Sequence, residues 1–454
     1  MLQSLGGSQS HCDLRTRKSV GDGLGFVTSF CPKCVAKQHK GTMFMTKPGT
    51  VLLLSTYPIV KPQHGGQVRL LNIKRAYQRA GWRVASLAVY PEESYSNEVG
   101  LSDIPFPATS KYRLFNGRNV PLITDLLSGP FAAAEDGGLP SVLAQIPPQI
   151  DVIHVEQPWL WPLVVELRKR LQYASAITVY GSQNIEEPLK RSIFEDYNVE
   201  GADEVLRSID ALEKNAARHA DLTLAVTQDD SAVLEKWGAD KIALHPNGIE
   251  AWRADDKALA QWREKLPKFP WLLYVASAHP PNFTRFSELL GESLACFPPT
   301  SRLVVVGSVT EHIYRVMNST RWSHLNLSRL QLLFTLSDED LAAVKSLAHG
   351  FILPIPFGGG SNLKTAEALY SGSYVVGTPA AFRGYEDCLD LPEVRVADSP
   401  RSFQRSIREV LFQPSPLPLE PGSQAFARRQ SLRWEACMDP LPLLVEKLTH
   451  RGVQ

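Results

Sequence analysis

The sequence predicts an α/β fold with two Rossmann-like domains. From Thr50 onward, apolar strand-like runs alternate with helical segments, a pattern typical of parallel sheets that are covered on both faces. A length of 454 residues is too great for one ordinary core and suits two domains of about 200 residues each. The predicted strands are 51–55, 83–89, 152–155, 176–180 and 222–226 in the first half, and 272–276, 302–306, 332–336, 350–354 and 373–377 in the second.

The domain limits follow from breaks in this alternation. We predict a leader at residues 1–45, a first domain at 46–250, a second domain at 251–430 and a terminal helix region at 431–454 that packs back on the first domain. The leader is rich in Gly, Ser and Lys and has no periodic apolar positions, so we expect it to be disordered. Translation that begins near Met45 would also explain why the composition of the leader differs from that of the remaining sequence.

The leader contains the one cysteine pattern that invites a metal hypothesis. Cys31 and Cys34 are spaced as one half of a zinc knuckle, with His11, Cys12 and His39 nearby. A second, properly spaced pair is missing, so zinc is the less favoured interpretation and we predict no metal or cofactor. Six cysteines in a chain of this length indicate reduced thiols rather than a disulfide framework.

The composition excludes several functional classes. A formal net charge of +1 argues against a nucleic-acid-binding surface, which needs a marked basic excess. No apolar run approaches the roughly 18 residues that span a bilayer, and the start lacks the pattern of a secretory signal. Hydrophobic residues at 44% and charged residues at 21% are ordinary for a soluble protein, so we expect a cytoplasmic one.

The most informative segment is the glycine-rich turn at 355–378. Gly358, Gly359 and Gly360 follow an apolar strand and lead into a predicted helix at 363–370. Glycine lets a ligand approach the backbone, and the first helix amides point with the positive end of the dipole at whatever lies in front. Lys364 adds a cation, and Glu367 lies one turn further on the same face. Together these features favour an anion site over an empty turn.

A second glycine pair precedes a helix in the first half. A loop with Gly65, Gly66 and Gln67 follows the first strand and leads into a predicted helix at 68–80. Ligands of open α/β sheets bind at the carboxyl ends of strands, so this loop should face a cleft. An ordinary turn is nearly as good an interpretation of these residues alone. Neither half has Gly-x-Gly-x-x-Gly after its first strand, which argues against a nicotinamide or flavin enzyme.

The segment 358–378 resembles the donor site of the retaining GT-B glycosyltransferases of family four. Its sequence is Gly-Gly-Gly-Ser-Asn-Leu-Lys-Thr-Ala-Glu-Ala-Leu-Tyr-Ser-Gly-Ser-Tyr-Val-Val-Gly-Thr. The resemblance covers about 51–411 and implies two Rossmann-like domains that face a central cleft. In the family a first glutamate precedes the second by eight positions; here the second is Glu367 and Gly359 takes the place of the first. The resemblance implies that Glu367 holds the nucleotide ribose, while the amides of Gly359, Gly360, Ser361 and Asn362 meet the diphosphate and the sugar.

Other segments extend the resemblance to the first domain. The segment 151–158, Asp-Val-Ile-His-Val-Glu-Gln-Pro, is similar to the family's Asp-Val-x-His-x-His-x-Pro. In this comparison Glu156 aligns with the family's second histidine. We predict that Glu156 or Gln157 serves the chemistry, with a capping or surface role equally plausible, and that His154 is a packed core histidine. Asn184 belongs to a loop that resembles the family's His-Asn-x-Glu and would line the acceptor side.

In the second domain the family's usual pair of phosphate-binding cations is missing. His279, Arg285 and Lys364 remain to neutralise a nucleotide diphosphate. Gly307 follows a strand near the predicted nucleotide site, and Leu336 lies in a segment whose family counterpart holds the base through backbone atoms.

The resemblance therefore implies a retaining glycosyltransferase that moves a sugar from a nucleotide-diphosphate sugar to an acceptor hydroxyl. A glycan or lipid-linked acceptor fits polysaccharide or glycoconjugate synthesis, and a peripheral contact with the inner membrane face is an open alternative to a purely cytoplasmic location. A second hypothesis is a non-catalytic GT-B-like protein that binds nucleotide sugars or joins an assembly. A nucleotide-sugar epimerase is less favoured because such enzymes place several carboxylates and histidines in the cleft.

Overall fold

Two parallel sheets organise the chain. The computed structural model describes residues 49–95, 98–278, 280–356, 361–417 and 420–451, within one unit that spans Phe44–Gln454. The predicted leader, with its cysteines and its zinc hypothesis, lies outside the described residues. The strands of the first sheet are β1 (Thr50–Ser55), β2 (Arg83–Pro91), β3 (Ile104–Phe106), β4 (Val152–Glu156), β5 (Ile177–Ser182), β6 (Leu222–Ala225) and β7 (Ile242–Leu244), in the order β3-β2-β1-β4-β5-β6-β7.

Helices cover both faces of this sheet. They are α1 (Gly65–Arg79), α2 (Thr124–Ala133), α3 (Leu139–Gln145), α4 (Trp161–Arg168), α5 (Glu186–Tyr197), α6 (Ala202–His219) and α7 (Gln228–Lys236). Side chains alternate along β1, so Leu52 and Leu54 join one apolar core while Val51 and Leu53 join the core on the opposite face. Burial on both faces explains why the strand is an unbroken apolar run.

The second sheet repeats this plan. Its strands are β8 (Trp271–Val275), β9 (Arg302–Val306), β10 (Leu330–Leu333), β11 (Gly350–Leu353), β12 (Tyr374–Gly377) and β13 (Val394–Val396), in the order β10-β9-β8-β11-β12-β13. Its helices are α8 (Asp256–Lys265), α9 (Pro280–Leu290), α10 (Thr310–Asn318), α11 (Ser323–Arg329), α12 (Asp338–Leu347), α13 (Leu363–Ser371) and α14 (Pro400–Phe412). The strand order reverses between β1 and β4 in one sheet and between β8 and β11 in the other, and such switch points form crevices at the carboxyl ends of the strands.

The end of the chain returns to the first sheet. It forms α15 (Gln424–Gln430), α16 (Trp434–Met438) and α17 (Pro440–Arg451). Ile249, which follows β7, pairs with this returning segment: its N–H donates to Leu432 O at 2.9 Å and its carbonyl accepts from Trp434 N at 3.1 Å. Five side chains of α16 and α17 then enter the core that contains Val51 and Leu53; they are Trp434, Cys437, Met438, Leu441 and Val445.

The predicted fold class is confirmed, and one strand is misplaced. Residues 332–336 were predicted as a strand, but β10 ends at Leu333 because its partner β9 ends at Val306, which is paired with Leu333. The three-residue strands β3, β7 and β13 are missing from the prediction, because such short segments show no periodicity. None of the described helices has the length and apolar character needed to cross a bilayer.

Candidate functional site

The amino termini of two helices from different sheets lie next to each other. Gly65 begins α1 and Leu363 begins α13, and a methyl group added at Gly65 would lie 3.5 Å from Leu363 Cδ1. Among the described residues, the N–H groups of Gly65 and Gly66 have no hydrogen-bond acceptor. Both helix dipoles therefore direct positive potential into the same crevice, where an anion would be stabilised.

Lys364 is the cation at this junction. Its Nζ lies 3.5 Å from Asn282 Oδ1, and within the described chain no carboxylate lies within salt-bridge distance of it. Burial lowers the pKa of Lys364, an effect that Glu367 partly opposes. Asn362 fixes the helix start by accepting a hydrogen bond from Lys364 N at 3.0 Å, and Ser361 before it is buried. A half-buried ammonium without a carboxylate partner suits a phosphate group.

Glu367 is paired, but not with the residue that sequence spacing indicates. Its Oε1 lies 2.8 Å from Nζ of Lys345 on α12, whereas within the described chain no salt bridge joins Glu367 to Lys364. The side chain of Glu367 is 33% exposed, whereas that of Lys345 is 8% exposed. Glu367 is therefore partly exposed, with its Oε1 already held by Lys345.

Glu156, predicted as a catalytic candidate, lies in the interior of the first domain. Its side chain is fully buried, and its Oε2 accepts from Arg69 Nε at 3.0 Å. His154 Nε2 lies 3.0 Å from Glu156 Oε1, and Tyr77 OH lies 3.1 Å from the other ring nitrogen. These contacts are satisfied together when Tyr77 donates to His154 and His154 donates to Glu156. Burial would raise the pKa of Glu156, but Arg69 and His154 outweigh it and hold that pKa below its usual range.

The predicted catalytic contact of Glu156 stays a prediction. In the structure both of its carboxylate oxygens are held within a buried ion network. Arg69 extends that network to the segment between the domains, because its Nη1 donates to His245 O at 2.9 Å and to Asn247 Oδ1 at 3.0 Å.

The network reaches the loop of α1 through Gln183. Its Nε2 lies 2.8 Å from Glu156 Oε2 and 2.7 Å from Tyr57 OH. A Cβ at Gly66 would lie 2.9 Å from the same Tyr57 oxygen, so a larger residue here would require the Tyr57 side chain to shift. Gln67, predicted to face a ligand, is buried; its Oε1 accepts from Gln63 N at 2.6 Å and its Nε2 donates to Pro58 O at 2.7 Å. It braces the loop rather than facing the crevice.

A separate carboxyl lies at the ends of β4 and β5. Glu186 Oε1 accepts from Gln157 Nε2 at 3.1 Å and from Asn184 Nδ2 at 3.4 Å. Gln157 has φ of 65°, a strained conformation for a non-glycine residue that is common at functional sites. Burial raises the pKa of Glu186 to about 7, and Asp125 adds to this effect. A carboxyl with a pKa near 7 is partly protonated at physiological pH, so it can exchange a proton with a bound hydroxyl.

The remaining predicted donor residues occupy different settings. Gly307 follows β9 with φ of 102°, and a Cβ there would overlap the Ala276 carbonyl oxygen, so glycine is required. Leu336 is half-buried against the second-domain core, before α12. Arg285 lies 2.8 Å from Glu288 and is thus already paired. His279, Gly359 and Gly360 lie outside the described residues.

Three residues of this region were not predicted: Arg69, Glu186 and Lys345. Glu186 belongs to the loop that was singled out, and its acidic position at a helix start could have marked it. Arg69 and Lys345 have partners that are distant in sequence, so no local pattern indicates them. Within the described chain, no group of three His, Cys, Asp or Glu side chains is placed to hold a metal ion.

Comparison with known proteins identifies the architecture. Sucrose-phosphate synthase from Thermosynechococcus elongatus superposes with a TM-score of 0.65 at 17% identity, covering 88% of this chain and 99% of that one. WaaG, a glycosyltransferase involved in lipopolysaccharide biosynthesis, superposes with a TM-score of 0.51 at 16% identity over 88% of this chain and 98% of WaaG. The fold is GT-B.

Two further comparisons bear on the GT-B chain. Residues 64–253 match the model of Glycosyltransferase Family 4, a span that runs from the start of α1 to just beyond the first domain. Anabaena HepE in complex with UDP and glucose superposes with a TM-score of 0.56 at 14% identity, covering 88% of this chain and 99% of HepE. Among curated protein sequences, none matches this chain significantly.

Proposed function

We propose that this protein is a retaining glycosyltransferase that transfers a sugar from a nucleotide-diphosphate sugar to an acceptor hydroxyl. The observation that carries the proposal is the junction of α1 and α13, where two helix amino termini and Lys364 converge on one crevice of a GT-B fold. The family match at 64–253 and the HepE complex with UDP and glucose support it. The acceptor class we propose is a glycan or a lipid-linked glycan, in polysaccharide or glycoconjugate synthesis.

The proposed roles follow from charge and position. The departing diphosphate carries negative charge, which Lys364 and the free amides of the helix starts stabilise without a metal ion or cofactor. Glu367 accepts a hydrogen bond from the ribose. Glu186, with Gln157 and Asn184, faces the acceptor side at the ends of β4 and β5. We place the reaction in the cytoplasm, with the inner membrane face as the alternative if the acceptor is lipid-linked.

Lys364→Ala tests the phosphate assignment. Losing a charge-assisted hydrogen bond should weaken binding of the preferred nucleoside diphosphate by about 1–3 kcal/mol, as measured by calorimetry. Lys74→Ala is the matched control, since Lys74 is a half-buried lysine of the first domain whose Nζ lies 3.1 Å from Ser86 Oγ. Unchanged affinity in a folded Lys364→Ala protein would remove the main support for a phosphate site.

A second candidate is a GT-B-like protein that binds nucleotide sugars without turnover. Two observations favour it: Gly359 replaces the family's first glutamate, and Glu156 is enclosed in an ion network instead of facing the crevice. A panel of UDP-, GDP-, ADP- and dTDP-sugars separates the two, first by thermal shift and then by release of the nucleoside diphosphate. Stabilisation without release, in the presence of candidate glycan acceptors, would favour the binding protein.

A further inference from the structure

Lys345 is enclosed by two groups that a cation attracts. Its Nζ lies 2.8 Å from Glu367 Oε1 and 5.0 Å from the ring centroid of Trp252. Trp252 in turn packs edge-on against Tyr370, which follows Glu367 by one turn on α13, with 5.0 Å between ring centroids. The ammonium of Lys345 on α12 thus contacts Glu367 on α13 and Trp252, which lies in the segment between β7 and α8.

The pair is asymmetric in its exposure. The cation is almost fully buried, while the carboxylate is one-third exposed. A buried ammonium is costly unless its partner stays in place, because removing one member leaves a desolvated charge. Glu367 therefore cannot swing both oxygens toward a ligand without leaving Lys345 unpaired.

We propose that Lys345 is a positioning residue for nucleotide recognition: it fixes Glu367 by Oε1 and leaves Oε2 to accept the ribose hydroxyls. This inference rests on the proposed function and goes beyond it in one respect. The ribose would be bound by Oε2 of Glu367 alone, and Lys345, which does not touch the ligand, would set the direction of that oxygen.

Lys345→Met tests this directly, because methionine keeps an unbranched apolar side chain and removes only the ammonium. The probes are UDP, GDP and ADP, each beside its 2′,3′-dideoxy counterpart, with dissociation constants from calorimetry. For whichever binds, Lys345→Met should weaken the ribose form by about tenfold and change the dideoxy form by less than about twofold.

Two further variants separate positioning from a general structural effect. In the Glu367→Gln protein, adding Lys345→Met should cause no further loss of affinity, since both changes remove the same contact. Lys214→Met is the matched control, because Lys214 also pairs with a carboxylate, Asp210 at 2.7 Å, and lies over a tryptophan ring, Trp237 at 5.8 Å. Its nucleotide affinity should equal that of the wild type.

The possible results differ for the two proposals. Wild-type protein that binds neither these three ribonucleotides nor dTDP overturns the proposed function and the role of Lys345 with it. Binding that is unchanged by Lys345→Met, or that falls equally for the ribose and dideoxy forms, overturns the role of Lys345 and leaves the proposed function standing. If Lys345→Met does not fold, Lys345→Gln, which removes the charge but keeps a polar side chain, is put to the same comparison of ribose and dideoxy forms with the same expected and contradicting results.

Discussion

Glu156→Gln should destabilise the first domain rather than act mainly on catalysis. The substitution keeps the size of the side chain but removes the charge that faces Arg69, and the side chains of the pair are 1% exposed for Arg69 and 0% for Glu156. Arg69 would keep the neutral acceptors His245 O and Asn247 Oδ1 but would have no anion in contact. Breaking a buried ion pair from one side costs about 3–5 kcal/mol, because the remaining charge is left desolvated.

The size of the effect can be isolated by a double-mutant cycle. Arg69→Met alone leaves Glu156 as the unpaired charge, so its cost should be comparable. Arg69→Met combined with Glu156→Gln removes both charges, and its cost should fall short of the sum by about 2 kcal/mol or more. Urea unfolding followed by tryptophan fluorescence gives these differences from the midpoints. Glu250→Gln is the control, since its pair with Arg75 is exposed and worth less than about 1 kcal/mol.

Two results would refute this reasoning. Additive losses in the cycle would show that Glu156 and Arg69 do not depend on each other. A Glu156→Gln protein with wild-type stability and no transferase activity would support the predicted catalytic contact of Glu156 over a structural role. Retained transferase activity in a destabilised Glu156→Gln protein would instead support a structural role of Glu156 in the buried ion network.

Two more predictions concern Glu186 and Gly307. Burial raises the pKa of Glu186 from 4.5 to about 7, so this carboxyl supports the fold fully below about pH 4.5 and loses that contribution as the pH rises to about 7. Over that range the wild type should lose about 3 kcal/mol more unfolding free energy than Glu186→Gln, and parallel stability–pH curves would contradict this. Gly307→Ala should lower the free energy of unfolding by more than about 2 kcal/mol in thermal unfolding, because its Cβ would overlap the Ala276 oxygen. Gly291→Ala is the control: Gly291 has φ of 67° and open space around it, so the loss should be about 1 kcal/mol. Equal losses would show that the structure relieves the overlap at Gly307 by shifting elsewhere.

The sequence predicts the fold class well because each sheet interior is an apolar run between helical segments. It also locates Gly65, Gly66 and Lys364, since each lies in a short segment that follows a strand and begins a helix. It cannot show that Glu156 is enclosed, because Arg69 is 87 residues away in sequence and the pair forms only when α1 packs over β4. Lys345 is hidden for the same reason: a lysine in a helix is ordinarily exposed, and the contacts of Lys345 with Glu367 and Trp252 join residues that are distant in sequence.

The return of α16 and α17 to the first sheet has a consequence for how the chain matures. Trp434, Met438 and Val445 complete a core that contains β1, so the part of this sheet face that α1 does not cover stays exposed while the second domain is being synthesised. A nascent or truncated chain would therefore expose an apolar face that chaperones and proteases can recognise. The core around β1 is therefore complete only after the second domain and the two helices α16 and α17 have been synthesised.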